Sequence, residues 1–416
     1  MTNKTLSVCL FAVLIGTMFA QQGEVPRGIP HLDHVFVIMM ENHGYGEILN
    51  NPNAPFINQY AQSTGLAKNY FAVAHPSLTN YLETVGGSNF GVLDDNSPDW
   101  HNGSCMPNLA TGTASLESTS TAICPIAGAG TDAATPLLDC SNETSGPPCD
   151  IEIDGKHTFK SSSQTLGITI ANQLAAAGRT WKTYQEDLPQ SGADLIDYSD
   201  GNFSNLTDFT KFNPQNPVFT NSEIVQLYAA KHDPFVYFQE VQQGTNPLVS
   251  YAQVAGFDGL GGLWGDLASG RVPSFAYIVP NQCNDQHGRS NGTPFCGFDS
   301  VDNGTQAGLN PAGIQLGDQT IEKLVTAIHG SPAWSRGRSA IVVIWDENDY
   351  SQTPITNQVM AIVDTNYGEH RRLSNQFYTH FSLLRSIEAG FRLPCLNHAC
   401  DEGVETMSDL FGGGGD

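Results

Sequence analysis

His34-Val-Phe-Val-Ile-Met-Met40 runs into Glu41-Asn42, and Ser339-Ala-Ile-Val-Val-Ile-Trp345 runs into Asp346-Glu347. Both stretches are continuously apolar, rich in β-branched residues and free of alternation. Strands that read this way are buried on both faces, as in the parallel sheets of α/β proteins. Each therefore delivers an acidic pair to the carboxyl end of a strand. Ligands of open α/β sheets bind in the crevice outside those ends. Glu41, Asn42, Asp346 and Glu347 are thus expected to meet there, as oxygen-bearing side chains that can share one cation.

Outward from these two runs, helical and strand patterns alternate. Helices are predicted at Pro55–Ala61, Gly167–Gly178, Ser222–Lys231, Gly317–Ile328 and Thr379–Ala389, and strands at Trp181–Glu186, Phe235–Phe238, Ser274–Val279 and Gln358–Val363. Such alternation predicts an α/β domain over 28–410, with a central mostly parallel sheet covered by helices on both faces. Residues 96–164 shift to Gly, Thr, Ser, Ala, Pro and Asp with four cysteines and no usable period, which predicts a long, disulfide-tied surface excursion. The glycine-rich tail 411–416 reads as disordered. No Walker-type loop or dinucleotide fingerprint is present, and Gly259-Leu-Gly-Gly-Leu-Trp264 reads as a loop.

The chain has 416 residues, 40% hydrophobic and 14% charged, which is ample for a large core. Residues 1–20 carry Lys4, an apolar run from Leu6 to Phe19 and Ala20 before Gln21-Gln22, the pattern of a cleaved secretory signal. A membrane span is the alternative, and the run is short for one. Losing Cys9 with that leader leaves Cys105, Cys124, Cys140, Cys149, Cys283, Cys296, Cys395 and Cys400, an even set that points to disulfides in an exported protein. Cys140/Cys149, Cys283/Cys296 and Cys395/Cys400 are the simplest local pairs. A zinc knuckle is the weaker reading, since no pair has two-residue spacing and His398 has no second cluster.

Several motifs together resemble a known family. They are Glu41-Asn42, His75-Pro76-Ser77-Leu78-Thr79-Asn80-Tyr81-Leu82 with Gly86-Gly87, Asn284-Asp285-Gln286-His287, and Asp346-Glu347. Trp181-Lys-Thr-Tyr-Gln-Glu186, Ser331-Pro-Ala-Trp334 and Tyr378-Thr-His380-Phe-Ser-Leu-Leu384 add to the match. The chain resembles the phosphoesterase family of secreted acid phosphatases and bacterial phospholipases C. That resemblance implies an alkaline-phosphatase-like fold and a Ser or Thr nucleophile two residues before Pro and three before Asn. It maps the nucleophile to Ser77 and retains Asn80. Thr79 stands where the family has proline.

The residues support that chemistry independently. A serine hydroxyl is a poor nucleophile near neutral pH and needs a base or a metal to activate it. One divalent cation held by Glu41, Asn42, Asp346 and Glu347 would activate Ser77 and neutralise charge on a phosphoryl group. Hard oxygen ligands favour Mg, Ca or Mn, and zinc also accepts carboxylates, so the metal's identity stays open. His75, Asp285, His287 and His380 are candidates to bind phosphate or move protons. Charged histidines in those roles would favour mildly acidic pH. Glu186 is a candidate supporting acid. The other histidines, His31, His34, His43, His101, His157, His232, His329, His370 and His398, receive no role.

With 42 acidic and 18 basic residues the net charge is −24, a field that repels nucleic acid. A phosphate substrate then needs locally supplied positive charge. The expectation is a secreted or periplasmic, metal-dependent phosphoric ester hydrolase, an acid phosphatase acting on small phosphomonoesters through a phosphoserine. It has no nucleic-acid partner and no stable membrane insertion; its oligomeric state is not readable. Glu41-Asn42 is followed by His43-Gly44-Tyr45, not the Arg-Ser-Phe-Asp usual in phospholipases C. A phospholipase C or other phosphodiesterase is the second reading. An inert secreted binding protein on the same scaffold is the third.

Overall fold

The two apolar runs lie side by side. A computed structural model describes residues 22–98, 123–128, 130–131, 139, 150–162, 164–188, 227–287, 311–349 and 356–413. Its strands are β1 (His34–Met40), β2 (Gly65–Phe71), β3 (Ile126–Ala127), β4 (Gly130–Thr131), β5 (Ile151–Glu152), β6 (Thr158–Phe159), β7 (Trp181–Gln185), β8 (Val254–Gly256), β9 (Phe275–Val279), β10 (Ser339–Trp345), β11 (Gln358–Thr365), β12 (Arg372–Ser374) and β13 (Tyr378–Thr379). β1 and β10 are parallel and in register from His34 opposite Ser339 to Met40 opposite Trp345. Both acidic pairs therefore leave the sheet at one edge. Every residue of β10 is buried, as expected for a strand covered on both faces.

The main sheet runs β12-β2-β11-β10-β1-β9-β7-β8, with β13 also on β2. β9, β7 and β8 continue the parallel half beyond β1. β11 is antiparallel to both β10 and β2, so the sheet is mostly parallel, as expected, with one strand reversed. The helix Pro55–Ser63 packs on Pro311–His329, and Ser77–Gly86 packs on His380–Phe391. Among the described residues no helix is long and apolar enough to cross a membrane.

The structure corrects several local expectations. Phe235–Phe238 is not a strand: Pro234–Tyr237 forms a 3-10 turn, because Pro234 fixes its own φ and cannot donate to a sheet ladder. The first half of the expected helix Ser222–Lys231 lies outside the described residues, and its end is irregular until the 3-10 turn Ala230–His232. The helix expected at Gly317–Ile328 starts earlier, at Pro311. The excursion 96–164 is not wholly peripheral, since Ile126 and Ile151 are fully buried and Phe159 packs edge-on against Phe381. Phe411, expected in a disordered tail, is buried, and its carbonyl accepts a hydrogen bond from Tyr367 at 2.9 Å. Cys395 and Cys400 are bridged as expected. Cys124 and Cys283 are also disulfide-bonded. The other expected pairs and the leader 1–20 involve residues outside the described set.

Candidate active site

Ser77 opens the helix Ser77–Gly86 directly after Pro76, whose ring suits it to a helix start but offers no capping oxygen. The side chain is buried, with Oγ 3.2 Å from Glu41 Oε2 and 3.3 Å from Glu347 Oε1. Residues 41, 77 and 347, far apart in sequence, thus converge on one hydroxyl. It can donate to only one of those carboxylates at a time.

Glu347 is held from several sides. Its Oε2 lies 2.7 Å from His75 Nδ1 and accepts from Asn80 Nδ2 at 3.2 Å. Asn80 in turn anchors the approach to Ser77. Its Oδ1 accepts from the amides of Val73 and Ala74 at 3.0 and 3.1 Å, and Nδ2 donates to Ala74 O at 2.7 Å. Thr79, where the family pattern has proline, donates Oγ1 to Val92 O at 3.1 Å and is fully buried. The turn survives the departure because Thr79 also donates its amide to Pro76 O at 3.1 Å.

A second cluster adjoins this one. Glu41, His232 and Asp285 each offer a ligand atom within 4.8 Å of the others, and all three are buried. His232 Nε2 is 3.0 Å from Glu41 Oε1, and His232 Nδ1 is 3.6 Å from Asp285 Oδ2. None of these contacts has hydrogen-bond geometry: Glu41 Oε1, His232 Nε2, Asp285 Oδ2 and the nearby Asp346 Oδ2 are buried atoms without a hydrogen-bond partner. Such atoms are costly unless something else satisfies them.

Electrostatics sharpen the point. Burial, then neighbouring acids, pushes the carboxyls of Glu41, Asp285 and Asp346 well above the ordinary range. Burial, with Lys231 and His287 nearby, pushes His232 well below its usual value. The cluster thus has surplus buried carboxylate and a neutral imidazole. Three hard oxygens and one imidazole suit a divalent cation, so the residues present fit one.

Backbone bonds lock the parts together. Asp346 Oδ1 accepts from the Asn42 amide at 3.1 Å, and Asn42 has φ 68°, a conformation asparagine tolerates. Asn42 thus contributes its main chain to the cluster. Glu41 N donates to Asp285 O at 2.8 Å. Asp285 Oδ1 accepts from His287 N at 2.7 Å, and the His287 ring lies 5.9 Å from that of His232. Glu186 Oε2 accepts from Asn281 N and Asn284 Nδ2 at 3.0 and 2.9 Å, fastening the loop that carries Asp285.

His380 sits differently from its expected role. Its Nε2–H donates to Asp346 O at 2.7 Å and Nδ1 accepts from Tyr70 Oη at 2.9 Å, so both ring nitrogens are engaged inside the core. Burial pushes its pKa down to about 4, leaving it neutral, where the sequence reading had it as a candidate to bind phosphate or move protons. His232 is the residue that reading missed. It stands in a 3-10 turn, stacked on Tyr81 with centroids 5.2 Å apart and planes 7° from parallel. The one available signal was a histidine beside Asp-Pro and an apolar run.

The Phosphoesterase family model matches residues 45–294. A phosphatidylinositol-3-phosphatase of Mycobacterium tuberculosis is 23% identical over 98% of this chain and 92% of its own length. An acid phosphatase of Aspergillus fumigatus is 21% identical over 87% of this chain, which spans only 55% of that longer protein. Among solved structures, a protein in the alkaline phosphatase superfamily from Vibrio parahaemolyticus is similar with a TM-score of 0.46 at 10% identity, over 93% of this chain and 74% of that one. The match across most of the chain settles the affiliation: this chain belongs to the Phosphoesterase family and is a phosphoric ester hydrolase.

Proposed function

We propose that the protein is an exported, metal-dependent phosphatase that transfers the phosphoryl group of a phosphomonoester to Ser77 and then to water. The observation that carries this reading is the Ser77 hydroxyl, buried between Glu41 Oε2 and Glu347 Oε1. Glu347 takes the hydroxyl proton as the Oγ–P bond forms and the bond from phosphorus to the ester oxygen breaks. His75 holds the other oxygen of Glu347 and keeps it aimed at Ser77. His287 borders the cluster and is the candidate to give a proton to the departing alcohol. Water then attacks the phosphoserine and gives a proton to His287, while Glu347 returns its proton to the Ser77 oxygen as phosphate is released.

Glu41, His232, Asp285 and Asp346 would hold the cation, with Asn42 and Glu347 bordering it. The ion would lower the pKa of the serine hydroxyl and offset charge gathering on the phosphoryl oxygens. His380 fixes the Asp346 main chain rather than meeting substrate. The relatives' names, acid phosphatase and phosphatidylinositol-3-phosphatase, support monoester over diester cleavage.

The test pairs wild type with Ser77→Ala on p-nitrophenyl phosphate and bis-p-nitrophenyl phosphate, with acid-quenched peptide mapping. The reading requires a phosphorylated peptide containing residue 77, a monoester preference, and at least about 10³-fold loss in the variant. Full turnover by Ser77→Ala would refute the nucleophile. Faster diester cleavage would favour the phosphodiesterase reading.

A further inference from the structure

We infer that Lys231 and Asp95 form a positioning pair for the nucleophile, an inference that rests on Ser77 being that nucleophile. Pro76 leaves the first turn of the Ser77 helix without a side-chain cap. Asp95 supplies one from beyond the helix, its Oδ1 accepting from the Leu78 amide at 3.1 Å. Leu78 directly follows Ser77. The other oxygen of the same carboxylate, Oδ2, meets Lys231 Nζ at 2.8 Å. The carboxylate therefore bridges the helix start and the ammonium, and its negative charge suits the positive end of the helix.

Lys231 is well placed for more than a surface contact. Its side chain is only 12% exposed, and its charge acts on both Glu41 and Glu347, the two carboxylates beside the Ser77 hydroxyl. It immediately precedes His232 in the 3-10 turn Ala230–His232. That turn is further tied to the nucleophile's helix by the stacking of His232 on Tyr81. A parallel tie joins the neighbouring segments, where Tyr237 Oη donates to Asn96 O at 2.9 Å. Lys231–Asp95 thus connects the turn bearing His232 to the turn bearing Ser77. It also brings positive charge close to the site in a chain of net charge −24.

An ordinary exposed ion pair would contribute little. A pair that sets the nucleophile's position acts on turnover, because small displacements of reacting groups cost on the order of 10²-fold in rate. The full chain is assayed on p-nitrophenyl phosphate with divalent metal as wild type, Lys231→Met, Lys231→Arg, Asp95→Asn, Asp95→Ala and the double variant Lys231→Met/Asp95→Ala. Lys231→Met is expected to lower kcat about 10²-fold with KM within about threefold, and Lys231→Arg to recover to within about tenfold of wild type. Asp95→Asn keeps an acceptor for Leu78 and should lose less than Asp95→Ala. The double variant should lose no more than the worse single, as coupled partners do.

Thermal melting and circular dichroism confirm that each variant is folded, and the milder Asp95→Asn and Lys231→Arg carry the comparison if a harsher one is not. Unchanged kcat in the folded variants, a loss confined to KM, or single losses that multiply in the double variant would each overturn the pairing. Ser77→Ala in the same assay separates the two ideas. If it is inactive while Lys231→Met is fully active, the pairing alone is wrong; if it turns over normally, the nucleophile assignment fails and the pairing fails with it.

Discussion

Among the described residues two buried clusters of histidine and carboxylate are satisfied in opposite ways. In one, His398 Nε2 meets Asp139 Oδ2 at 3.1 Å and Nδ1 meets Asp401 Oδ2 at 2.6 Å, while Ser88 Oγ donates to Asp139 at 2.7 Å. Burial alone would push His398 down; its hydrogen bonds to the two aspartates override that and raise it to about 10. It is a charged clasp, closed by its own protons. In the other, His232 is pushed well down, Glu41, Asp285 and Asp346 are pushed well up, and four polar atoms have no hydrogen-bond partner. The same residue types make structure where protons match acceptors and leave a candidate cation site where carboxylates are in surplus.

The contrast breaks most sharply on metal removal. Chelation followed by dialysis is expected to lower phosphatase activity by at least about 10²-fold, with recovery on adding Mg, Ca, Mn or Zn salts. Cation binding to the folded state alone should also raise Tm in wild type. Asp285→Asn should blunt both responses, whereas His398→Gln should leave both intact. A chelated enzyme that keeps its rate and its Tm would place the two clusters in one class and defeat the distinction.

How much of this was legible beforehand follows from what each residue's neighbours in sequence disclose. β1 and β10 were readable because six-residue apolar runs leading into Glu41-Asn42 and Asp346-Glu347 carry their environment with them. The direction of β11 was not, since an apolar run such as Gln358–Thr365 looks the same in either orientation. Ser77, His75 and Asp285 were reachable only through motif resemblance, as single polar residues in turns resemble any others. His232 was passed over because its meaning comes from Glu41 and Asp285, about 190 and 50 positions away in the chain. His398 was weighed only for zinc, because Asp139 lies in a low-complexity stretch with no period to place it.

The next largest effect tests the clasp. His398→Gln removes the charge between two aspartates and leaves the fully buried Asp139 without its cationic partner, which should cost about 3 kcal/mol at neutral pH. The effect has a predictable pH dependence. Because the folded-state pKa of His398 is raised above the ordinary value, its contribution is complete below about pH 6.5 and fades as pH rises through about 10. Denaturant midpoints for wild type and His398→Gln should therefore lie furthest apart near pH 6 and converge toward pH 10. A gap that stays constant, or widens with pH, would mean that His398 is not held as a cation.

The smallest expected effect asks whether position on the helix that begins at Ser77 is itself enough to matter. Thr79 lies two residues beyond Ser77 and is as deeply buried, yet its hydroxyl points its hydrogen bond to Val92 O and away from the carboxylates. Thr79→Val keeps the shape and removes one neutral hydrogen bond, leaving the Val92 carbonyl short of a donor. That change should destabilise the fold by about 1 kcal/mol and alter kcat less than about twofold. If it instead lowered kcat as strongly as changes to the candidate ion-binding carboxylates, the turn as a whole would set the rate. The chemistry would then belong to the helix's placement, and the boundary between site and scaffold would have to be drawn one turn further in.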